Sequence, residues 1–198
     1  TKIDKSSSIS MNSYIDKHNV SIGKNVIIED NVHVKSGSKI GDGVIIGSGS
    51  IIGGDGFEVK DINGKVVWLP HNGKVIIGSE VQIGHNCTID KGIFGVDTEI
   101  KAGTKIDNLV NIAHCCNIGK NCIITAGVIF AGSVKVGENV FFGPNSTISN
   151  GINISKGAHI SLGSTVVSNV KENEKVTGYF ALEHSKFMKN QIKILKNG

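Results

Sequence analysis

Residues 100–166 read IKAGTKIDNLVNIAHCCNIGKNCIITAGVIFAGSVKVGENVFFGPNSTISNGINISKGAHISLGSTV. Every sixth residue is a large apolar one: Ile100, Ile106, Ile112, Ile118, Ile124, Phe130, Val136, Phe142, Ile148, Ile154, Ile160 and Val166. A period of six fits neither the 3.6 of a helix nor the 2 of a half-buried strand. It is the period of a hexapeptide β-helix. Three hexads make a triangular coil of 18 residues, with one short parallel strand on each side, and coils stack at about 4.8 Å. The expected fold is therefore all-β, a parallel β-helix whose first hexad position points inward and stacks on its equivalents above and below.

The beat extends outward from this stretch. It runs through Ile22, Ile28, Val34, Ile40, Ile46 and Ile52, and again through Ile77, Ile83 and Ile89. Ile3, Ile9 and Ile15 keep the period one residue out of phase, which predicts an imperfect first coil. The second hexad position is often glycine, as at Gly23, Gly41, Gly47, Gly53, Gly78, Gly84, Gly119, Gly137 and Gly143. A turn there that Cβ would penalise is the expected reason. The fifth position takes small residues: Val26, Val32, Val44, Ala158, and also Cys87, Cys116 and Cys122. With Cys115 these are all the cysteines, and they show no CxxC spacing. Their plain reading is small buried hydrophobes in a reducing compartment; zinc binding or redox chemistry is the other.

Two breaks interrupt the period. Residues 54–75 form an excursion, GDGFEVKDINGKVVWLPHNGKV, in which two apolar runs flank Asn63-Gly64 and predict a hairpin. It carries the only tryptophan, Trp68. Residues 93–99 form a smaller insertion. Insertions in solenoids map to loops and often line the binding face; a loop that only covers the coil is the plainer alternative. The β-helix is expected over 1–170, with a linker and helix over 171–198. Residues 171–175 read as a polar exit. A helix over 180–196 is expected from Phe187, Met188, Ile192 and Leu195. Lys186, Lys189, Lys193 and Lys196 line up as a basic stripe on it. Such a stripe is either a solvated face or a docking site for an acidic carrier protein or a phosphate.

The bulk numbers exclude several classes. The 198 residues suit one domain with a real core. The net charge is +4 and all 21 basic residues are lysine. Without arginine no guanidinium fork is available for bases or phosphates, and nucleic-acid binding is discounted. No apolar run approaches the ~20 residues of a membrane span, and no signal peptide opens the chain; a cytoplasmic protein is expected. The chain begins at Thr1, with which a removed leader or an upstream segment is compatible.

Of the seven histidines, only His114 sits in a specific setting, DNLVNIAHCCNIG, amid the best-formed coils. The matching motifs are Gly54-Asp55-Gly56-Phe57, Gly73-Lys74-Val75-Ile76-Ile77-Gly78, Thr88-Ile89-Asp90-Lys91-Gly92, Asp107-Asn108, Ile112-Ala113-His114-Cys115 and Gly127-Val128-Ile129-Phe130-Ala131-Gly132-Ser133. Together they cover much of residues 54–150, and in this order they resemble the UDP-3-O-(3-hydroxyacyl)glucosamine N-acyltransferase family of lipid A synthesis. The hexad alone is shared by many hexapeptide-repeat acyltransferases.

The resemblance implies a left-handed coil, His114 as general base and the Gly132 N–H as oxyanion donor. His114 and Gly132 are 18 residues apart, one coil, so the period independently stacks them. The implied chemistry is acyl transfer from a thioester to an amine, with no bound cofactor, no metal and no covalent intermediate. The co-substrate is acyl-CoA or an acyl carrier protein, and the assembly a homotrimer. Asp107 or Asn111 is expected to orient His114. Asp90 in its matched motif and the aromatic rings of Phe57 and Trp68 are the expected substrate contacts, and Lys186, Lys189 and Lys193 the carrier or phosphate contacts. The family's second histidine, after Asn-Gly, is replaced here by Ile152 after Asn150-Gly151, and no room exists within the chain for the family's N-terminal nucleotide-binding domain. A stand-alone N-acyltransferase on a nucleotide-linked amino sugar for a surface glycan is therefore expected, with the lipid A enzyme missing its first domain as the alternative. A γ-type carbonic anhydrase is rejected because His114 has no histidine partner nearby downstream. A purely structural solenoid is the non-enzymatic reading.

Overall fold

The computed structural model describes residues 1–178, 181 and 183–197. Its body is a left-handed parallel β-helix with three faces. Parallel sheets of eight, nine and eight strands make those faces, and an antiparallel two-stranded hairpin stands apart. Most strands are two residues long, such as Asn111–Ile112 and Ile129–Phe130. Register is set by the period: Ile100 pairs with Ile118, Ile112 with Phe130 and Ile124 with Phe142. Each first-position side chain from Ile22 to Val166 is buried on its neighbours, with Phe130 and Phe142 in edge contact at 4.8 Å. Burying one such side chain is worth about 1.5–3 kcal/mol, and the stack repeats it coil after coil.

The first coil is better formed than its phase suggests. Ile3 pairs with Ile22 and Lys2 with Ser21. The extra residue between Ile15 and Ile22 is absorbed at a corner, and the strands stay in register. At the other end the coil outruns the expected boundary at 170. Val170 bridges to Ile154, and Lys175–Val176 pairs with His159–Ile160. Most of the polar run, residues 171–174, is a corner of the solenoid, turned at Asn173 with φ 57°.

The glycine pattern has a different cause from the expected one. Second-position glycines, Gly53 excepted, do not have positive φ. They are required because successive coils touch there: a Cβ on Gly119 would lie 2.0 Å from the Gly137 carbonyl oxygen, and one on Gly47 2.7 Å from the Gly84 carbonyl carbon. The left-handed conformation belongs to the fourth position, where Asn25, Asn31, Asn86, Asn121 and Asn139 alternate with glycines. Asparagine and glycine adopt it at least cost. Leu109, Cys115 and Ser133 hold the same conformation with φ near 60°.

Cys87, Cys116 and Cys122 are buried as their position predicts, and no cysteine is disulfide-bonded. The hairpin pairs Val59–Ile62 with Lys65–Trp68 across Asn63-Gly64, both at positive φ, as the primed turn requires. The helix spans His184–Asn197. Glu183 caps it, accepting hydrogen bonds from Ser185 N–H at 3.0 Å and Lys186 N–H at 3.2 Å. The expected start at Phe180 lies outside the described residues, as does the side chain of Leu195. Phe187, Met188 and Ile192 are each more than two-fifths exposed. No described helix is long and apolar enough to cross a membrane.

Candidate active site

His114 sits at the corner that follows the strand Asn111–Ile112, and its side chain is only 12% exposed. One coil on, Gly132 occupies the equivalent corner. A Cβ at Gly132 would fall 2.5 Å from His114 Cε1 and 2.7 Å from Nε2. The same point is 3.1 Å from Asn150 Oδ1, another coil further on. His114, Gly132 and Asn150 thus form a column at one corner, and the absent side chain of Gly132 is what leaves room for the imidazole. The backbone locks the column: Ser133 N–H donates to the His114 carbonyl at 2.9 Å, and Gly151 N–H to the Gly132 carbonyl at 3.0 Å. Among the described residues the Gly132 N–H donates to no protein group.

The excursion folds its base over this corner. Glu58 Oε2 comes within 3.8 Å of His114 Nε2. His71, buried in the same loop, sets its ring edge-on to His114 with centroids 5.3 Å apart. Gly56 lies between them: a Cβ there would be 2.8 Å from His71 Nε2, 3.2 Å from His114 Cδ2 and 3.3 Å from Asp90 Oδ2. The DGF motif therefore needs glycine at this point for close packing.

These surroundings set the charges. Burial, then the neighbouring His71, lowers the pKa of His114, with Glu58 opposing. The imidazole is consequently neutral at pH 7 and able to accept a proton. Burial, then the Asp55 carboxylate, raises Asp90 to about 6. His71 Nδ1 lies 3.1 Å from the Leu69 carbonyl, to which only an N–H can donate. His71 Nε2 and His114 Nδ1 are both buried without a partner among the described residues.

The structure brings His114, Gly132 and Asp90 into one site, and Phe57 and Trp68 sit at the hairpin base beside Glu58, in edge contact at 5.0 Å. The expectation that Asp107 or Asn111 orients His114 is corrected. Asn111 Nδ2 donates to Thr88 Oγ1 at 2.6 Å, and Asp107 Oδ1 accepts from Asn108 N–H at 2.8 Å; neither reaches the imidazole. Proximity along one coil is not proximity in space, because side chains at successive positions leave different faces. Burial pushes the Cys116 thiol up to about 12, and it donates to the Ala131 carbonyl at 3.2 Å; a thiolate nucleophile is not available there. Cys115 ties down the 93–99 insertion, accepting a hydrogen bond from Ile93 N–H at 3.4 Å. Lys186, Lys189 and Lys193 are exposed on the helix. Sequence reasoning missed His71, Glu58 and Asn150. Asn150 lies one 18-residue step past Gly132 and was reachable by counting; His71 and Glu58 lie in the excursion, where the period gives no register. Among the described residues no group of three histidine, cysteine or carboxylate side chains is arranged to hold a metal.

Residues 19–54 match the bacterial transferase hexapeptide model of six repeats, and residues 133–168 the hexapeptide repeat of succinyl-transferase. The chain is a hexapeptide-repeat solenoid. Similar solved structures include the UDP-N-acetylglucosamine acyltransferase of Francisella novicida, with TM-score 0.74 and 22% identity over 96% of this chain and 73% of that one. The corresponding enzyme from Campylobacter jejuni gives TM-score 0.66 and 24% identity over 83% and 69%. At these identities the likeness is one of fold. Among curated relatives, the UDP-3-O-acylglucosamine N-acyltransferase of Maricaulis maris is 55% identical over 60 residues, 30% of this solenoid and 17% of that protein. That of Leptospira biflexa is 48% identical over 63 residues, 32% and 18%. The matches span less than a fifth of those relatives' length.

Proposed function

We propose that this solenoid is an acyltransferase that moves an acyl group from a thioester to the amine of a nucleotide-linked amino sugar. The observation that carries the reading is the half-buried, neutral His114 packed against the side-chain-free Gly132, whose N–H has no partner among the described residues. The amine nitrogen attacks the thioester carbonyl carbon while His114 Nε2 takes its proton. The carbonyl oxygen becomes an oxyanion and accepts from the Gly132 N–H. The C–S bond then breaks, and the thiolate leaves with the proton held by His114. For Nε2 to act, the neutral imidazole carries its proton on Nδ1. His71, edge-on to His114 with ring centroids 5.3 Å apart, acts on it by packing as a positioning residue.

Phe57 and Trp68, both more than half exposed at the hairpin base, are the stacking surface for sugar or base. The lysine face of the helix is a docking surface for an acidic acyl carrier protein; acyl-CoA is the alternative donor. A homotrimer working in the cytoplasm on precursors of a surface glycan completes the proposal. The local identity to the UDP-3-O-acylglucosamine N-acyltransferases favours a second acceptor for the same chemistry, the lipid A precursor itself.

Mass spectrometry of products from a panel of nucleotide amino sugars, UDP-3-O-acylglucosamine included, with short and long acyl donors separates these acceptors. His114→Ala is expected to lower the rate by about 10²–10⁴-fold with the assembly state by sedimentation unchanged. Retained activity in that variant, or no N-acylated product from the parent with any donor, defeats the reading.

A further inference from the structure

A groove of about 580 Å³ runs along the same corner of the solenoid, on the N-terminal side of the catalytic column. Lys2, Lys39, Lys74 and Lys91 line it, and so does His71. His71 is therefore shared: it contacts His114 and also lines the groove. The coil register delivers the lysines. Lys2 pairs with Ser21 and Ser21 with Lys39 on one face, and Lys74 directly precedes Val75, which pairs with Ser38. Lys91 is ion-paired to Asp55 at 2.9 Å. Among the described residues Lys2, Lys39 and Lys74 make no ion pair with a carboxylate. Asp97 stands near Lys74 but accepts from its backbone N–H, at 2.8 Å.

Three unneutralised ammonium groups around one concavity repel one another, and a bound anion relieves that repulsion. Lysine is a compact point charge suited to phosphate oxygens. In a nucleotide-linked amino sugar the diphosphate and the amine are separated by no more than one pyranose ring. His71, which lines the groove, is in ring contact with His114 at 5.3 Å between centroids. Resting on the reading of His114 as the base for such a sugar, we propose that this groove is a diphosphate-binding site, with Lys39 and Lys74 as its principal ligands. The lysine face of the C-terminal helix is then not needed for the nucleotide's phosphates. Coenzyme A carries the same diphosphate chemistry, and the test separates the two sources.

The test is calorimetric titration of the full chain with UDP, inorganic pyrophosphate and coenzyme A, in the parent, in Lys39→Ala/Lys74→Ala and in Lys135→Ala/Lys156→Ala, which removes two lysines outside the groove. Loss of two charge-assisted contacts is expected to weaken UDP about a hundredfold, tenfold per lysine, with the control pair within twofold of the parent, as roughly expected for long-range screening alone. Weakening of UDP alone assigns the groove to the sugar nucleotide; weakening of coenzyme A alone assigns it to the donor. Undiminished binding in the groove variant, equal weakening in the control pair, or no binding of UDP or pyrophosphate to the parent at millimolar concentration overturns the site. Unfolding by heat is followed in parallel, and Lys39→Gln/Lys74→Gln replaces the alanine pair if the latter melts early. Because binding is read without turnover, a parent that binds UDP through these lysines but acylates nothing removes the acyl-transfer reading and leaves the groove standing.

Discussion

Gly132 and Gly119 both exclude a side chain, but for different reasons, and alanine at each is expected to fail differently. A Cβ at Gly132 meets the end of a side chain, 2.5 Å from His114 Cε1, whereas ordinary contact begins near 3.4 Å. The imidazole must retreat by about 1 Å, a misplacement that costs about 10²-fold in rate, or about 2.7 kcal/mol of transition-state stabilisation. It cannot retreat freely, because Gly56 and His71 pack its other side. Gly132 is not at positive φ, so alanine brings no backbone strain, and the coil stays intact. A Cβ at Gly119 meets the Gly137 carbonyl oxygen at 2.0 Å, a backbone atom fixed in the coil stack. Two coils must part there, at a cost of about 1–3 kcal/mol or more. Gly132→Ala is therefore expected to lose activity and keep its melting temperature, and Gly119→Ala to lose melting temperature. The assays are initial rates of thiol release from the acyl donor and thermal unfolding by circular dichroism. Gly132→Ala with activity within about threefold of the parent would refute the placement of His114 against Gly132. So would Gly132→Ala melting as early as Gly119→Ala.

Burial holds the His114 pKa below the ordinary histidine value of 6.5, so kcat/KM is expected to fall only as pH drops beneath that depressed value. The same shift makes the unfolded chain bind more protons than the native one as pH falls through 6.5, so this group lowers stability on acidification, a trend that His114→Ala should flatten in melts at pH 5 and 7. Asp90 has the opposite sign: its pKa is raised to about 6, so the ionised form is disfavoured in the fold and stability is lost as pH rises from 3.8 through 6. Asp90→Asn is expected to raise the melting temperature at pH 7.5 more than at pH 4, and an equal effect at both pH values counts against a buried carboxylate. Leu109 is 63% exposed and holds φ 60°, which nothing else in the structure explains. Leu109→Asn is expected to stabilise by about 1 kcal/mol, read by urea unfolding. Trp68 is the sole tryptophan, so its fluorescence should change on adding UDP and stay flat in Phe57→Ala if the two rings form one stacking surface.

The period of six carried the coil, its register and its core directly, because each hexad repeats the same local choice and burial follows from phase. Counting by 18 also stacked Gly132 on His114 and put Cys87, Cys116 and Cys122 inside. It misassigned the reason for the second-position glycines, since a one-dimensional pattern marks where Cβ is excluded but not whether φ or a neighbouring coil excludes it. Asp107 and Asn111 shared a coil with His114 in the sequence and proved to serve Asn108 and Thr88. Glu58 and His71 reach His114 only through the fold of the excursion, where the period is silent. What the sequence by itself determined is therefore whatever repeats: shape, register, core and one stacked pair. The environment of His114 was decided by tertiary structure alone, because a single non-repeating loop closes over one corner, and burial and charge there depend on contacts between residues that no period relates.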